Sequence, residues 1–426
     1  MRLSPGVYDP GSRSIETFEA TPASGDTRAM NRATVFELYR QHVNSGKIDL
    51  FERYGLDAVM GRRQGIRFWD AYDDRSWINC HCNGGVFNLG HRHPAIVEAV
   101  LESLASSDIG NHHLPAPGRA DLARRLSATT GDRVSGVVFG VSGGEAIDVA
   151  IKAARHATSR SCIVSARGGY HGHTGLALAA GDPAFRNPFG SNPPGFAQVP
   201  FNDLRALDAA VDAETAAVLL EPVPATLGMP IPHDDYLPGV QRLCRERGAL
   251  LVLDEVQTGV GRTGTMWAYQ HWELEPDVIV TAKALGGGVY PITATMMTPA
   301  VHHIFDEEPF IHVSTAGGAE PGCAAALAVL DVVESPGFLD HVAALGERFA
   351  AGLADLPFIL RRLGMMMAFA FPAADAGMLA AKLLFDAGVF SVYAGNDTSV
   401  LQFLPPLVTT DAEADEIISI VRRVFG

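Results

Sequence analysis

Asp254, near the end of the run ALLVLDE (249–255), and Lys283, closing DVIVTAK (277–283), are the residues whose types and placement offer the most chemistry. A lysine at the end of a buried apolar strand keeps its amine in low-dielectric surroundings. That disfavours the ammonium form, lowers the pKa and leaves a neutral amine able to form a Schiff base. Read alone, such a lysine is more often a salt-bridged strand terminus. Here it is followed by Gly286-Gly287-Gly288, which lets backbone or a ligand approach closely.

Asp254, on a different strand of the same sheet, would keep a pyridine nitrogen protonated, and lysine with aspartate is the pairing that pyridoxal 5'-phosphate requires. A phosphate needs a cradle. VVFGVSGGEAIDVAIKAARHA supplies one as an apolar strand, then Ser142-Gly143-Gly144, then a helix whose free N–H groups and dipole attract an anion. A glycine-rich turn into a helix is weak evidence by itself, and its place in the same sheet strengthens it. After SCIVSA, Tyr170 and His171 follow Gly168-Gly169 at a strand end, where an aromatic ring would stack on a pyridine face; the alternative is a core tyrosine.

Other reactive residue types carry less. His173 and the pairs His112-His113 and His302-His303 show no ligand-like spacing with carboxylates and read as ordinary polar histidines. Cys80-His81-Cys82 lacks the second pair of a zinc site, and a two-residue repeat in a strand would turn both thiols to one face as structural cysteines. The five cysteines form an odd, sparse set that fits free thiols in a reducing compartment. No metal site is expected.

These residues must be positioned by a sheet. From about residue 95 to 320, short β-branched runs alternate with longer helical patterns, the signal of crossover units around a mainly parallel sheet. The runs are VSGVVFG (134–140), SCIVSA (161–166), AAVLLEP (216–222), ALLVLDE and DVIVTAK, with ITATMMT (292–298) a sixth strand. In open parallel sheets ligands sit beyond the carboxyl ends of the strands, where the candidate residues cluster. Residues 31–95 carry a helix (33–46) and strand-like IRFWDAY and SWINCHC, and residues 326–426 mix helices with GMMMAFAF, GVFSVY and VLQFLPPL. Neither flank looks complete alone. The expected organisation is an N-terminal arm over 1–30, a large α/β domain over 96–325, and a smaller α+β domain made from 31–95 and 326–426.

Thirty-three Lys and Arg against 48 Asp and Glu give the 426-residue chain a net charge of −15, which repels phosphate backbones and anionic membrane surfaces. Nucleic acid and membrane partners are not expected. The polar N-terminus has no apolar signal-peptide segment, so the expected location is cytoplasmic.

In order and separation, NLGHRHPAI (88–96), SGGEAIDVAIKAAR (142–155), GGYHGHTG (168–175), LLEPV (219–223), LLVLDEVQTGVGRTG (250–264), PDVIVTAKALGGG (276–288), STAGGAEPGCAAALAVL (314–330) and LQFLPPL (401–407) resemble the class III, or ω-type, pyridoxal-phosphate aminotransferases. The resemblance runs from about residue 48 to the C-terminus. It implies that Lys283 forms the Schiff base and moves the proton, that Asp254 binds the pyridinium nitrogen, and that Gln257 lies near the ring hydroxyl. It also implies that Ser142, Gly143 and Gly144 hold the phosphate, that Tyr170 and Val256 cover the two ring faces, and that His171 and Glu221 lie close by. Thr315 would reach the phosphate of the neighbouring subunit, so the resemblance implies a homodimer.

Three departures qualify it. Gly144 stands where the family commonly has threonine, which removes a hydroxyl from the phosphate site. Pro224-Ala225 replaces the usual Gln-Gly after LLEPV and makes that wall more apolar. Gln402 stands where many members have an arginine whose fork binds an α-carboxylate, and a neutral amide cannot replace that fork. The expected substrates are therefore a primary amine without an α-carboxylate, such as an amino sugar, and a keto or aldehyde acceptor, with Gln402 and Glu221 on the substrate side; the alternative is that another arginine, such as Arg119, compensates for Gln402. Racemisation or epimerisation at an amine-bearing carbon is the alternative on the same fold.

Overall fold

A computed structural model describes residues 30–109 and 113–426. The N-terminal arm, Met30 apart, and His112 lie outside the described residues. Three strands precede the main sheet: β1 (Met60–Gln64), β2 (Arg67–Asp70) and β3 (Ser76–Asn79). Seven form it: β4 (Gly136–Gly140), β5 (Cys162–Ala166), β6 (Phe196–Val199), β7 (Thr215–Leu220), β8 (Leu250–Asp254), β9 (Val278–Thr281) and β10 (Thr293–Met297). Five follow: β11 (Ile359–Leu363), β12 (Met366–Ala370), β13 (Val389–Phe390), β14 (Val392–Ala394) and β15 (Asp397–Phe403).

The main sheet runs β4-β10-β9-β8-β7-β5-β6. β5 to β9 pair in parallel, whereas β10 is antiparallel to both β9 and β4. The fold is α/β, and the sheet is mainly parallel. Its continuous apolar runs follow from burial on both faces, because successive side chains point to opposite sides of a strand. Ala217, Leu219, Val252 and Val280 pack with Ile147, Ala150 and Ile151 of the helix Gly143–Thr158. Val218, Leu220, Leu251, Leu253 and Ile279 face the other way and join Leu237 and Val240 of the helix Tyr236–Arg247.

Two four-stranded sheets flank it, in the orders β1-β2-β3-β13 and β11-β12-β15-β14. In the first, β3 pairs in parallel with β13, so residues near position 78 lie beside residues near position 389. Among the described residues no single helix is long and apolar enough to cross a membrane.

Local readings need correction. The helix expected over 33–46 is two helices, Arg32–His42 and Ser45–Arg53, broken where Asn44 turns to cap the second through Lys47 N–H at 2.9 Å. The SWINCHC strand ends at Asn79, so Cys80 and Cys82 do not alternate along a strand. Cys82 has a positive φ of 50° in a tight turn, and both thiols are buried and free. His302 and His303 do sit one helical turn from carboxylates, with Asp306 at 3.4 Å and Glu307 at 3.3 Å. Among the described residues no three histidine, cysteine or acidic side chains form a metal-binding group.

Candidate active site

The carboxyl ends of β4, β5, β7, β8 and β9 open onto a single cavity of about 440 Å³. Lys283 follows β9 by two residues and starts the short 3-10 helix Lys283–Gly286 with a positive φ of 41°. Its Nζ donates to Gln257 Oε1 at 3.4 Å. Burial lowers its pKa from the ordinary 10.5, against the opposing pull of the Asp254 and Glu221 carboxylates. The shift runs in the direction expected from the strand-end position.

Asp254 ends β8, beside β9, with which it pairs at Val280. Its Oδ1 accepts the Val256 N–H at 3.1 Å and its Oδ2 accepts the Nδ1–H of His171 at 2.8 Å. His171 is itself buried, and the Asp254 bond and charge hold its pKa above 6.5 although burial pulls the other way. Glu221 follows β7, accepts the Tyr170 N–H at 2.9 Å and is pushed up to about 7, chiefly by burial.

On the opposite side, Gly143 and Gly144 form the first turn of the helix Gly143–Thr158, and Ser142 caps it by accepting the Glu145 N–H at 3.2 Å. A Cβ at Gly143 would sit 3.6 Å from Val256 Cγ1. A Cβ at Gly144 would lie 2.6 Å from the hydroxyl of Thr174, so that hydroxyl occupies the space a side chain at 144 would need. Thr174 precedes the helix Gly175–Ala180, which its side chain does not cap.

Ser142, Gly143, Gly144, Tyr170, His171, Glu221, Asp254, Val256, Gln257 and Lys283, all singled out from sequence, thus come together on one wall system. Two others do not. Thr315 is exposed and lies away from the cavity lining, and Gln402 is buried in β15, paired with Ala368 and Val392, also outside the lining. Arg119 donates to Gly318 O at 3.1 Å and does not line the cavity. Sequence reasoning missed Val86, Phe87, Thr226, Tyr290 and Thr293 on the lining. Val86 and Phe87 directly precede NLGHRHPAI, and Thr293 lies five residues past the triple glycine, the only signals that pointed to them.

The residues fit pyridoxal 5'-phosphate. The cavity presents an acid for a ring nitrogen, an amine for an aldehyde and a helix N-terminus for a phosphate. In addition, Gln257 Nε2 and Thr293 Oγ1 are buried at its wall without any partner, as polar atoms awaiting a ligand would be.

A family model described as Aminotransferase class-III matches residues 52–425. An uncharacterized aminotransferase of Archaeoglobus fulgidus is 49% identical over 399 residues, 92% of this chain and 94% of that protein. A putrescine aminotransferase of Pectobacterium atrosepticum is 34% identical, over 95% of this chain and 91% of its own length. Among solved structures, the ornithine aminotransferase of Toxoplasma gondii superimposes with a TM-score of 0.84 at 26% identity, covering 93% of this chain and 95% of that one. Because the family match runs through every strand described above, the chain belongs to the class III aminotransferases, enzymes that use pyridoxal 5'-phosphate.

Proposed function

We propose that this aminotransferase moves an amino group between a primary amine without an α-carboxylate, a diamine or an amino sugar, and a keto or aldehyde acceptor. The composition of the cavity wall carries the reading. Among the described residues no arginine lines it, and Lys283 is its one lysine. An α-carboxylate would enter with no guanidinium fork to meet it. Among the described residues Glu221 instead offers a buried carboxyl that accepts the Tyr170 N–H and has no cation within ion-pair distance, suited to a second ammonium group on the substrate. The name of the Pectobacterium relative, an aminotransferase of the diamine putrescine, supports this.

The bound cofactor supplies an electron-accepting ring conjugated to the reacting carbon. Ser142, Gly143 and Gly144 hold its phosphate through helix N–H groups, while Val256 and Tyr170 cover its faces. Asp254, fixed by His171 and the Val256 N–H, keeps a proton on the ring nitrogen. Lys283 Nζ would be the base that takes the proton from the amine-bearing carbon, and burial lowers its pKa in the direction that role needs.

The homodimer belongs to the same reading, in the cytoplasm. Thr315 is exposed at the end of a stretch in which Phe310, Ile311 and Val313 are 72%, 58% and 56% exposed. An apolar run that open suits burial against a second copy, which would carry Thr315 to the partner's site.

The test is a screen of diamines, amino sugars and α-amino acids for conversion of the bound cofactor to its pyridoxamine form, followed by product identification. Conversion by α-amino acids in preference to neutral-tailed amines and diamines would overturn the substrate class. Solvent-deuterium uptake with inversion and no need for an acceptor would identify epimerisation instead.

A further inference from the structure

The turn Cys82–Gly85 lies against Lys283, and its backbone is unusual. Cys82, Asn83, Gly84 and Gly85 have φ values of 50°, 49°, 68° and 101° in succession. Two of the four carry side chains, and left-handed residues with side chains persist only where the surroundings over-determine them. The turn is close to the amine. A Cβ on Gly84 would stand 3.6 Å from both Cε and Nζ of Lys283 and 3.7 Å from Gln257 Oε1. It is thus part of what keeps water from the lysine.

Asn79 caps the turn by accepting the Cys82 N–H at 2.8 Å, and behind the turn lies a buried cation that the reaction does not use. Arg262 is fully buried, and among the described residues no carboxylate forms an ion pair with it. Its Nε donates to Asn88 Oδ1 at 3.1 Å and Nη2 donates to the same oxygen. Nη1 donates to Met365 O at 3.1 Å and Pro405 O at 2.7 Å, and the Cys80 and Cys82 thiols lie close enough to feel its charge. A fork that grips one side-chain oxygen twice and two carbonyls on another segment fixes their relative placement, which a lysine cannot do.

Asn88 transmits that grip. Its Nδ2 donates to Val260 O at 3.4 Å and its carbonyl accepts the Leu407 N–H at 2.7 Å. Its Oδ1 also lies 3.5 Å from where a Cβ on Gly85 would be, with the Gln257 carbonyl at 3.6 Å from the same point. Hydrogen bonds join Arg262 to Asn88, Asn88 lies beside Gly85 of the strained turn, and Gly84 of that turn lies beside Lys283.

We propose that Arg262 is a positioning residue that acts through Asn88 to press the turn Cys82–Gly85 onto Lys283 and keep its amine dry. Loosening the grip admits water to Nζ, which stabilises the protonated form of the lysine nitrogen and moves its titration upward.

The test uses purified holoenzyme of Arg262→Lys, which keeps the charge and loses the fork, and of Asn88→Ala, which cuts the same link from the other side. The readout is the pH midpoint of the visible absorption band of the bound cofactor, followed together with the thermal unfolding midpoint. An upward shift of about half a pH unit or more in either folded variant supports the proposal. A midpoint superimposable on the unsubstituted enzyme in every variant that folds overturns it, as does failure of both to fold, which would make the pair structural only. The amine screen does not bear on this midpoint, so either proposal can fail without the other.

Discussion

Oδ2 of Asp254 accepts a hydrogen bond from Nδ1 of His171 at 2.8 Å, and the other ring nitrogen of that histidine is buried without a partner. Through Nδ1 the imidazole therefore holds the acid in place. A hydrogen bond to a charged group contributes about 1.5–3 kcal/mol. His171→Phe is expected to lower kcat by roughly 10- to 150-fold with little change in KM, because the acid is needed most when charge enters the ring. Steady-state kinetics with a converting amine check this, and an unchanged kcat would show that Asp254 needs no such support.

Lys283→Ala is expected to abolish turnover and to prevent covalent retention of the cofactor after borohydride reduction, read by mass spectrometry. The fold should survive. Among the described residues the amine hydrogen-bonds the neutral Gln257 amide and forms no salt bridge, so its removal breaks no ion pair. The thermal midpoint of the variant should stay within about 5 °C of the parent. Retained turnover would refute the assignment of Lys283.

Glu221 gives a pH dependence with a definite sign. Burial raises its pKa from 4.5 to about 7, so the carboxyl is neutral below that value and anionic above it. If it holds a second ammonium, the preference for a diamine over a neutral-tailed amine of equal length should grow with pH. The expected gain in relative kcat/KM is roughly tenfold between about pH 6 and about pH 8, and taking the ratio cancels the titration of Lys283. Glu221→Gln should flatten the ratio; a slope that survives the substitution would place the dependence elsewhere.

Much of this was legible because parallel-sheet geometry makes strand ends predictive. Asp254, Lys283, Glu221 and the Ser142 turn all follow apolar runs, and the topology gathers such ends at one edge. β6 escaped notice because FAQV is short and its Gln198 breaks the apolar run at the edge of the sheet. β11 did so because ILRRL carries two arginines. Cys80 to Cys82 were misread as strand because nothing local signals that Asn79 will cap a turn there, with Oδ1 accepting the Cys82 N–H at 2.8 Å. The Arg262 grip joins positions 88, 365 and 405, and only tertiary structure shows such a contact. Gln402 is a different case. Its identity suggested the lack of a carboxylate clamp, but the residue itself does not line the cavity.

The glycine at 144 invites a repair that the structure predicts will fail. Restoring a threonine would seem to return a hydroxyl to the phosphate site, yet its Cβ would arrive 2.6 Å from the Thr174 hydroxyl. Gly172, two residues before Thr174, is packed as closely, since a Cβ there would lie 2.6 Å from Gly144 Cα. Overpacking of this kind costs about 1–3 kcal/mol. Gly144→Thr should accordingly weaken cofactor binding by roughly 5- to 150-fold, measured by fluorescence titration of the enzyme freed of cofactor. Removing the obstacle should reverse the loss. In Gly144→Thr combined with Thr174→Ala the new side chain has room, and affinity should return to within about threefold of the parent. Thr174→Ala alone separates the two roles of that hydroxyl. A weakened affinity means that Thr174 serves the phosphate in place of the missing threonine, and an unchanged one means that it only fills the space.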